Sequence, residues 1–320
     1  MPLDPRARSL LEMLNRIDAP RLQESPLDAA RRNFHKLLFA YREEPQAVES
    51  VQDLAMPRRS HEGGPLLGRL YRPASHGDTP LPALLWMHGG GWTLGDVAGY
   101  DSLCRRIAND AGCIVLSLDY RLAPENAFPA ALDDALFAWR WLQKQAGELG
   151  VDALRVAVGG DSAGGNLAAV LCHLLRDAGG QQPCLQWLVY PATDMLSERT
   201  SHALYGEGHF LDRASIAWFQ HNYLPSESDW RDWRASPIYA PRFDGLPPAL
   251  LMTAECDPLT DDGVAYLEKL TEAGVATTHL GYAGMIHGFL TMGRILPAAG
   301  EALDAAAAAL RAVFRMETRQ

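Results

Sequence analysis

The chain has 320 residues, 48% of them hydrophobic, with 29 Lys and Arg against 39 Asp and Glu for a formal net charge of -10. That composition sustains a sizeable core in one large domain or two, while the acidic balance and the scatter of basic residues speak against a nucleic-acid or anionic-membrane surface. The 5 cysteines form no C-x-x-C pair and no metal-ligand spacing, so they read as reduced thiols of a cytoplasmic protein, and the opening stretch MPLDPRARSLLEMLNRID interrupts each apolar run with charge, unlike a signal peptide or a membrane span.

Two helices are expected at the start of the chain. In the second, Ser25 is placed to cap, Pro26 suits the first helical position and Asp28 the first turn. Leu27, Ala30, Phe34, Leu37, Leu38 and Tyr41 form one apolar stripe, with Arg31, Arg32 and Lys36 mostly opposite. Such a face must be buried, either in the core or as a lid over a pocket. SVQDLAM and LLGRLYRPA, separated by the turn-like His61-Glu62-Gly63-Gly64, predict an antiparallel hairpin. Apolar strands at 84–87 and 113–118 run into HGGGW and DYRLAPE, and 129–145 is helical. Strands at 156–158, 185–190, 249–254 and 277–282 then alternate with helices, among them 164–175 and a closing Ala-rich one at 297–314. The pattern predicts an α/β fold with a mostly parallel sheet and helices on both faces. Residues 193–248 break the rhythm, being too long for a simple crossover and carrying Trp218, Phe219, Tyr223, Trp230 and Trp233. They are expected to fold over the C-terminal edge of the sheet, where open α/β sheets place ligands.

The chemistry centres on Gly160-Asp161-Ser162-Ala163-Gly164, between a strand and a helix. In a nucleophile elbow the serine sits in a strained turn and side chains two residues either side would collide, which explains both glycines. A phosphate-binding turn is the alternative, but G-x-G-x-x-G is absent and no Lys-Ser or Lys-Thr pair follows the glycines. Upstream, His88-Gly89-Gly90-Gly91-Trp92 follows a strand. Backbone N–H groups of Gly89 and Gly90, with that of Ala163, are candidates for an oxyanion hole, and His88 for holding the loop. The strand before Glu255-Cys256-Asp257-Pro258 ends on the same rim as the elbow. Asp257 is the first choice of acid, with Glu255 and Asp261 as rivals, Asp261 also being placed to cap the next helix. Of 10 histidines, His35, His173 and His221 fall in helices, whereas His287 lies in a loop after the last strand, downstream of the acid, where a triad base belongs.

With HGGGW, DYRLAPE, GDSAGG, TAECDPLTDDG and MIHGF in this order, nearly the whole chain resembles the bacterial hormone-sensitive lipase-like esterases of the α/β-hydrolase superfamily. The resemblance implies Ser162, Asp257 and His287 as a triad and Gly89, Gly90 and Ala163 as the oxyanion hole, with Asp161, Glu255 and His88 in support. It further implies a catalytic domain of residues 49–193 and 249–320, under a cap built from residues 1–48 and the insertion 194–248. Similar proteins hydrolyse small-molecule esters of short acyl chains without cofactor or metal, and dimers are common among them. They commonly carry Tyr where this chain has Cys256. Trp92, Phe210, Trp218 and Phe289 are candidate pocket residues, aromatic side chains that serve a core equally well. An amidase or carbamate hydrolase would use the same residues, because the leaving group is not recorded in the motifs. A non-catalytic small-molecule receptor is the alternative from another class; plant gibberellin receptors resemble this family but lack the triad histidine.

Overall fold

The computed structural model describes residues 3–16, 20–58, 64–75 and 80–315. Eight strands, β1 Ser50–Met56, β2 Leu66–Arg72, β3 Leu81–Met87, β4 Ile114–Asp119, β5 Val151–Asp161, β6 Gln186–Val189, β7 Ala249–Cys256 and β8 Thr277–Ile286, form one sheet in the order β1-β2-β4-β3-β5-β6-β7-β8. The first two pairings, β1 with β2 and β2 with β4, are antiparallel, and every later one is parallel. The expected hairpin is present, with Met56 opposite Leu66 at its closed end; His61, Glu62 and Gly63 of its turn lie outside the described residues.

The helices are α1 Pro5–Asn15, α2 Leu27–Tyr41, α3 Asp101–Ala111, α4 Ala130–Leu149, α5 Ala163–Asp177, α6 Thr200–Tyr205, α7 Arg213–Tyr223, α8 Glu227–Trp230, α9 Thr260–Glu272 and α10 Pro297–Arg315. Alternate side chains of β3 enter two cores, as a strand covered on both faces requires. Leu85 and Met87 pack with the apolar faces of α4, α5 and α9, while Leu84 and Trp86 pack with those of α3 and α10. In α10 the buried positions include Ala299, Ala302, Ala306 and Ala307, small side chains that let its backbone lie close. None of the helices among the described residues is long and apolar enough to cross a membrane.

Two boundaries differ from expectation. Pro26, not Ser25, occupies the cap position of α2, its carbonyl accepting from the Ala30 N–H at 3.0 Å, and the Ser25 hydroxyl donates instead to the Arg21 carbonyl. The helix therefore starts at Leu27, because Pro26 has an extended ψ of 141°. Strand β5 extends well beyond 156–158 and closes on Gly159-Gly160-Asp161, all paired with β6; the glycines have low strand propensity but sit where a Cβ would crowd the Trp187 carbonyl oxygen at 3.1 Å or strike the Gly164 backbone.

Residues between β6 and β7 carry α6, α7 and α8 and lie over the C-terminal rim of the sheet. The short turn Leu22–Glu24 of the N-terminal region lies against α7, so the two segments meet above that rim.

Candidate active site

The elbow forms where β5 ends and α5 begins. Ser162 has φ 55° and ψ -117°, a region rarely adopted by residues with a side chain, and its N–H donates to the Val189 carbonyl at 2.8 Å. A Cβ on Gly160 would come within 3.0 Å of the Gly164 backbone, and one on Gly164 within 3.0 Å of the Met87 carbonyl oxygen. Packing alone therefore dictates both glycines.

Ser162, His287 and Asp257 meet. His287 Nε2 lies 2.9 Å from Ser162 Oγ, and His287 Nδ1 lies 2.7 Å from Asp257 Oδ2. The fully buried Asp257 uses its other oxygen to accept from the Leu259 N–H at 2.9 Å, which fixes the plane of the carboxylate. An acceptor at Nδ1 keeps the proton there and leaves the Nε2 lone pair facing the hydroxyl. The Tyr190 ring, 4.7 Å from the imidazole, holds it from the side.

The donors beside Ser162 belong to the backbone, so their direction is set by what holds the carbonyl of the same peptide, since C=O and N–H point oppositely in a trans unit. His88 Nδ1 lies 2.7 Å from the Gly89 carbonyl, which turns the Gly90 N–H the other way. N–H groups of Thr93 and Leu94 hold the Gly90 carbonyl at 3.1 and 2.8 Å, which turns out the Gly91 N–H. The Ser162 carbonyl accepts from the Asn166 N–H at 3.0 Å, leaving the Ala163 N–H free at the start of α5. Gly90 and Gly91 line the cavity over Ser162. Gly89 does not fill the expected role: its N–H donates to Asp161 Oδ1 at 2.8 Å and to the Tyr100 hydroxyl at 3.1 Å. The peptide orientations thus turn the N–H groups of Gly90, Gly91 and Ala163 away from their held carbonyls. Burial lowers the pKa of His88 and keeps its ring neutral, stacked 4.3 Å from Tyr120.

Asp161 is buried beneath this loop, accepting from Gly89 and, at 2.9 Å, from the Tyr100 hydroxyl. Burial raises its pKa to about 6, against the opposing effect of those two bonds. Of the rival acids, Glu255 accepts from the Gly284 N–H at 2.7 Å, three residues before His287, and Asp261 accepts from the Ser201 N–H at 2.8 Å. Asp261 does not cap α9, whose cap position is Leu259. His173 is buried with Nε2 3.0 Å from the Tyr266 hydroxyl, and burial pushes its pKa down to about 3.

A cavity of about 680 Å³ opens above Ser162 and His287. Phe34, Leu37 and Tyr41 of α2 line one side, and Leu211, Ile216 and Phe219 of the insertion another. Trp92 and Phe210 contribute as expected. Trp218 does not: on α7 the next residue, Phe219, takes that place, because successive helical positions are rotated by about 100°. Phe289 is fully buried below the site, its ring 5.8 Å from Tyr190 and 5.0 Å from Tyr282, and belongs to the core. Tyr100 and Tyr190 carried no sequence signal, whereas Gly91 lay in plain view within HGGGW.

A family model described as the alpha/beta hydrolase fold matches residues 84–291. Among known relatives, the carboxylic ester hydrolase LipN of Mycobacterium tuberculosis is 46% identical over 254 residues, 78% of this chain and 66% of its own. The ethyl acetate hydrolase of Pseudomonas putida is 42% identical over 285 residues, 86% of this chain and 87% of its own. A solved structure of the ester-hydrolase Eh1AB1 from the metagenome of Lake Arreo, complexed with a derivative of bipyridine phosphonate, matches with a TM-score of 0.93 at 42% identity, covering 98% of this chain and 100% of that one.

Because the Met87 carbonyl belongs to the strand end beside the elbow, Gly164→Ala is expected to destabilise the protein by about 3 kcal/mol, the upper end of the usual overpacking range. Urea unfolding of the variant measures it; a loss below about 0.5 kcal/mol would show that the elbow has slack.

Proposed function

This chain belongs to the alpha/beta hydrolase family, and on that premise we propose that it is a serine carboxylesterase hydrolysing esters of short acyl chains through an acyl-enzyme. The observation that carries this reading is the hydroxyl–imidazole–carboxylate chain at 2.9 and 2.7 Å beside three outward N–H groups.

Ser162 Oγ attacks the ester carbonyl while its proton passes to His287 Nε2, and Asp257 holds Nδ1–H and stabilises the resulting imidazolium. Negative charge gathers on the former carbonyl oxygen, where N–H groups of Gly90, Gly91 and Ala163 need not reorganise to receive it. His287 then gives its proton to the departing alcohol oxygen, leaving Ser162 acylated. Water, deprotonated by the same imidazole, attacks the acyl carbon, and the carboxylic acid leaves as Ser162 Oγ regains a proton. An imidazole within 2.9 Å of the hydroxyl favours an enzyme over a receptor. A cavity of about 680 Å³ shared between acyl and alcohol parts suits small esters. Five unpaired thiols fit a reducing, cytoplasmic setting.

Ser162→Ala and His287→Ala should each lower kcat on p-nitrophenyl acetate by on the order of 10⁴, because the members of such a relay act as a unit. Asp257→Asn should be far worse than Glu255→Gln, because Asp257 holds the imidazole itself whereas Glu255 holds the Gly284 N–H, three residues before it. Activity of Ser162→Ala within tenfold of the parent would refute the mechanism. A p-nitroanilide cleaved as fast as the matched p-nitrophenyl ester would move the reading to an amidase.

The acid side of the pH profile should contain Asp161. Protonation there, on falling through about pH 6, removes the carboxylate that accepts from Gly89 and Tyr100, so kcat/KM should rise with pH through this range and then level off. Asp161→Asn should take its ionisation out of that limb. An acid limb of unchanged shape in Asp161→Asn would show that this carboxyl does not titrate there.

Phe34 and Leu37 are read as part of a cap over the acyl chain. The double variant Phe34→Ala/Leu37→Ala should raise KM, and its deficit in kcat/KM should grow by up to about fourfold per acyl methylene, the equivalent of about 0.8 kcal/mol of lost burial. Equal deficits on acetate and hexanoate esters would show that α2 does not touch the acyl chain.

A further inference from the structure

The 119–125 loop and the edge of α2 have no part in the mechanism above, yet they meet at one side chain. Arg31, beside the apolar stripe of α2 and one helical turn after Leu27, donates from Nε to the Thr93 carbonyl at 3.0 Å and from Nη2 to the Ala123 carbonyl at 3.0 Å. Its Nη1 and Nη2 also grip the Glu125 carboxylate at 2.7 Å each. Both carbonyls belong to segments that hold the oxyanion loop. Thr93 is fully buried; its N–H bonds the Gly90 carbonyl and its Oγ1 the Gly91 carbonyl at 3.0 Å. The Ala123 N–H bonds the Trp92 carbonyl at 2.8 Å, and the Tyr120 hydroxyl bonds the His88 carbonyl at 2.8 Å. The peptide that carries the Gly91 N–H is therefore oriented by Thr93, the loop around it is braced by the 119–125 loop, and one guanidinium spans both.

We propose that Arg31 is a positioning residue for the oxyanion hole: a clasp from α2 that fixes Thr93 against the 119–125 loop and thereby aims the Gly91 N–H group. This rests on the serine-esterase reading above. The planar fork suits the task, since its N–H groups reach two carbonyls and a carboxylate at once, which an ammonium on a flexible stem cannot do. The Glu125 pair lies toward solvent and by itself contributes little to stability; its effect is to hold the guanidinium in the plane that meets the two carbonyls. A shift of the loop alters where the donors stand relative to the developing oxyanion, and donors matter there only as the charge appears. The clasp should thus act on kcat, independently of acyl length.

The test compares Arg31→Ala and Arg31→Lys with the parent and with Phe34→Ala/Leu37→Ala, on p-nitrophenyl acetate, butyrate and hexanoate. Rates are normalised by titrating Ser162 with a phosphonate ester, so that misfolded molecules do not count. A trifluoromethyl ketone supplies an independent probe, because Ser162 Oγ adds to its carbonyl carbon, the proton passes to His287, and the resulting oxyanion occupies the hole. Arg31→Ala should lower kcat per titrated site by about tenfold to a hundredfold, by the same factor on all three esters, with KM within about twofold. Trifluoromethyl ketone affinity should fall in parallel, and Arg31→Lys should lie between. His35→Ala, which removes a neighbouring α2 contact to Asp96 without touching Thr93, should stay within about twofold of the parent. The proposal is overturned if Arg31→Ala keeps kcat, or if its deficit lies in KM and grows with acyl length as in the Phe34 and Leu37 variant. Should Arg31→Ala give no titratable sites, Arg31→Lys decides by the same criteria. Ser162→Ala, run alongside, separates the two readings: activity surviving it removes the serine mechanism, whereas its loss with Arg31→Ala unaffected removes only the clasp.

Discussion

Parallel pairing of β3 with β5, which sets Met87 opposite Gly160, is the constraint on which the site depends. The loops that follow these two strands carry HGGGW and Ser162, and adjacent parallel strands in fixed register deliver them side by side at the same rim. Contact is close enough that a Cβ on Gly164 would strike the Met87 carbonyl. Strand β6 adds the third wall, its Val189 carbonyl taking the Ser162 N–H, and β7 and β8, next in order, end at Asp257 and His287. Five neighbouring strand ends thus bring together residues that lie between His88 and His287 in the sequence. No side chain needs to reach far, which is why the distances are short without a ligand to draw them in.

The donors beside Ser162 pose a different problem, because a backbone N–H has no rotamer to adjust and is aimed only through its peptide plane. Each of the three planes is held by its carbonyl: Gly89 by His88, Gly90 by Thr93 and Leu94, Ser162 by Asn166. His88 can do this as a neutral ring with its proton on Nδ1, and burial against Tyr120 and Tyr100 keeps it so. The glycines supply the path of the loop, while the aim comes from residues that never touch the cavity.

Most of the site was legible because its residue types have few other uses in this order. Ser162 between two sterically required glycines, an acid after β7 and a histidine after β8 follow from motif, spacing and strand alternation. What escaped the sequence is orientation. Nothing in three consecutive glycines tells which N–H turns inward, and Gly89, expected in the hole, turns to Asp161 instead. Trp218 and Phe219 are adjacent aromatics on a helix whose polar pattern marks no clear face, so the one lining the cavity could not be chosen in advance. Phe289 follows a glycine in the αL region, which swings its ring down into the core. The continuation of β5 through Gly159 and Gly160 was hidden for the same reason: its fit depends on contacts with Trp187 and the Gly164 backbone that only the fold brings together.

The segments that roof the cavity are attached in a way that follows from the cavity itself. Apolar surface facing the substrate space cannot also pack against the sheet, so much of their attachment is displaced to the edges, where it is polar and directional. Asp4 takes part through its N–H, which donates to the Gly284 carbonyl in the turn that leads to His287, while Glu255 holds the Gly284 N–H from the other side. On the acid side, Ser201 of α6 bonds the Pro258 carbonyl at 2.6 Å and Asp261 at 2.8 Å, and Thr193 bonds the Asp262 carbonyl at 2.8 Å. Arg199 lies between the buried carboxyls of Asp194 and Asp262, at 3.0 and 3.2 Å; burial and the nearby Asp194 raise the pKa of Asp262 well above the usual range, and Arg199 opposes this. Individual bonds of this kind contribute on the order of 1 kcal/mol each, far less than the burial that holds the sheet between its two helical layers. Local opening of the roof is therefore cheaper than any disturbance of the strand ends beneath it. A substrate can be admitted from above while the geometry around Ser162 stays fixed by β3, β5, β7 and β8.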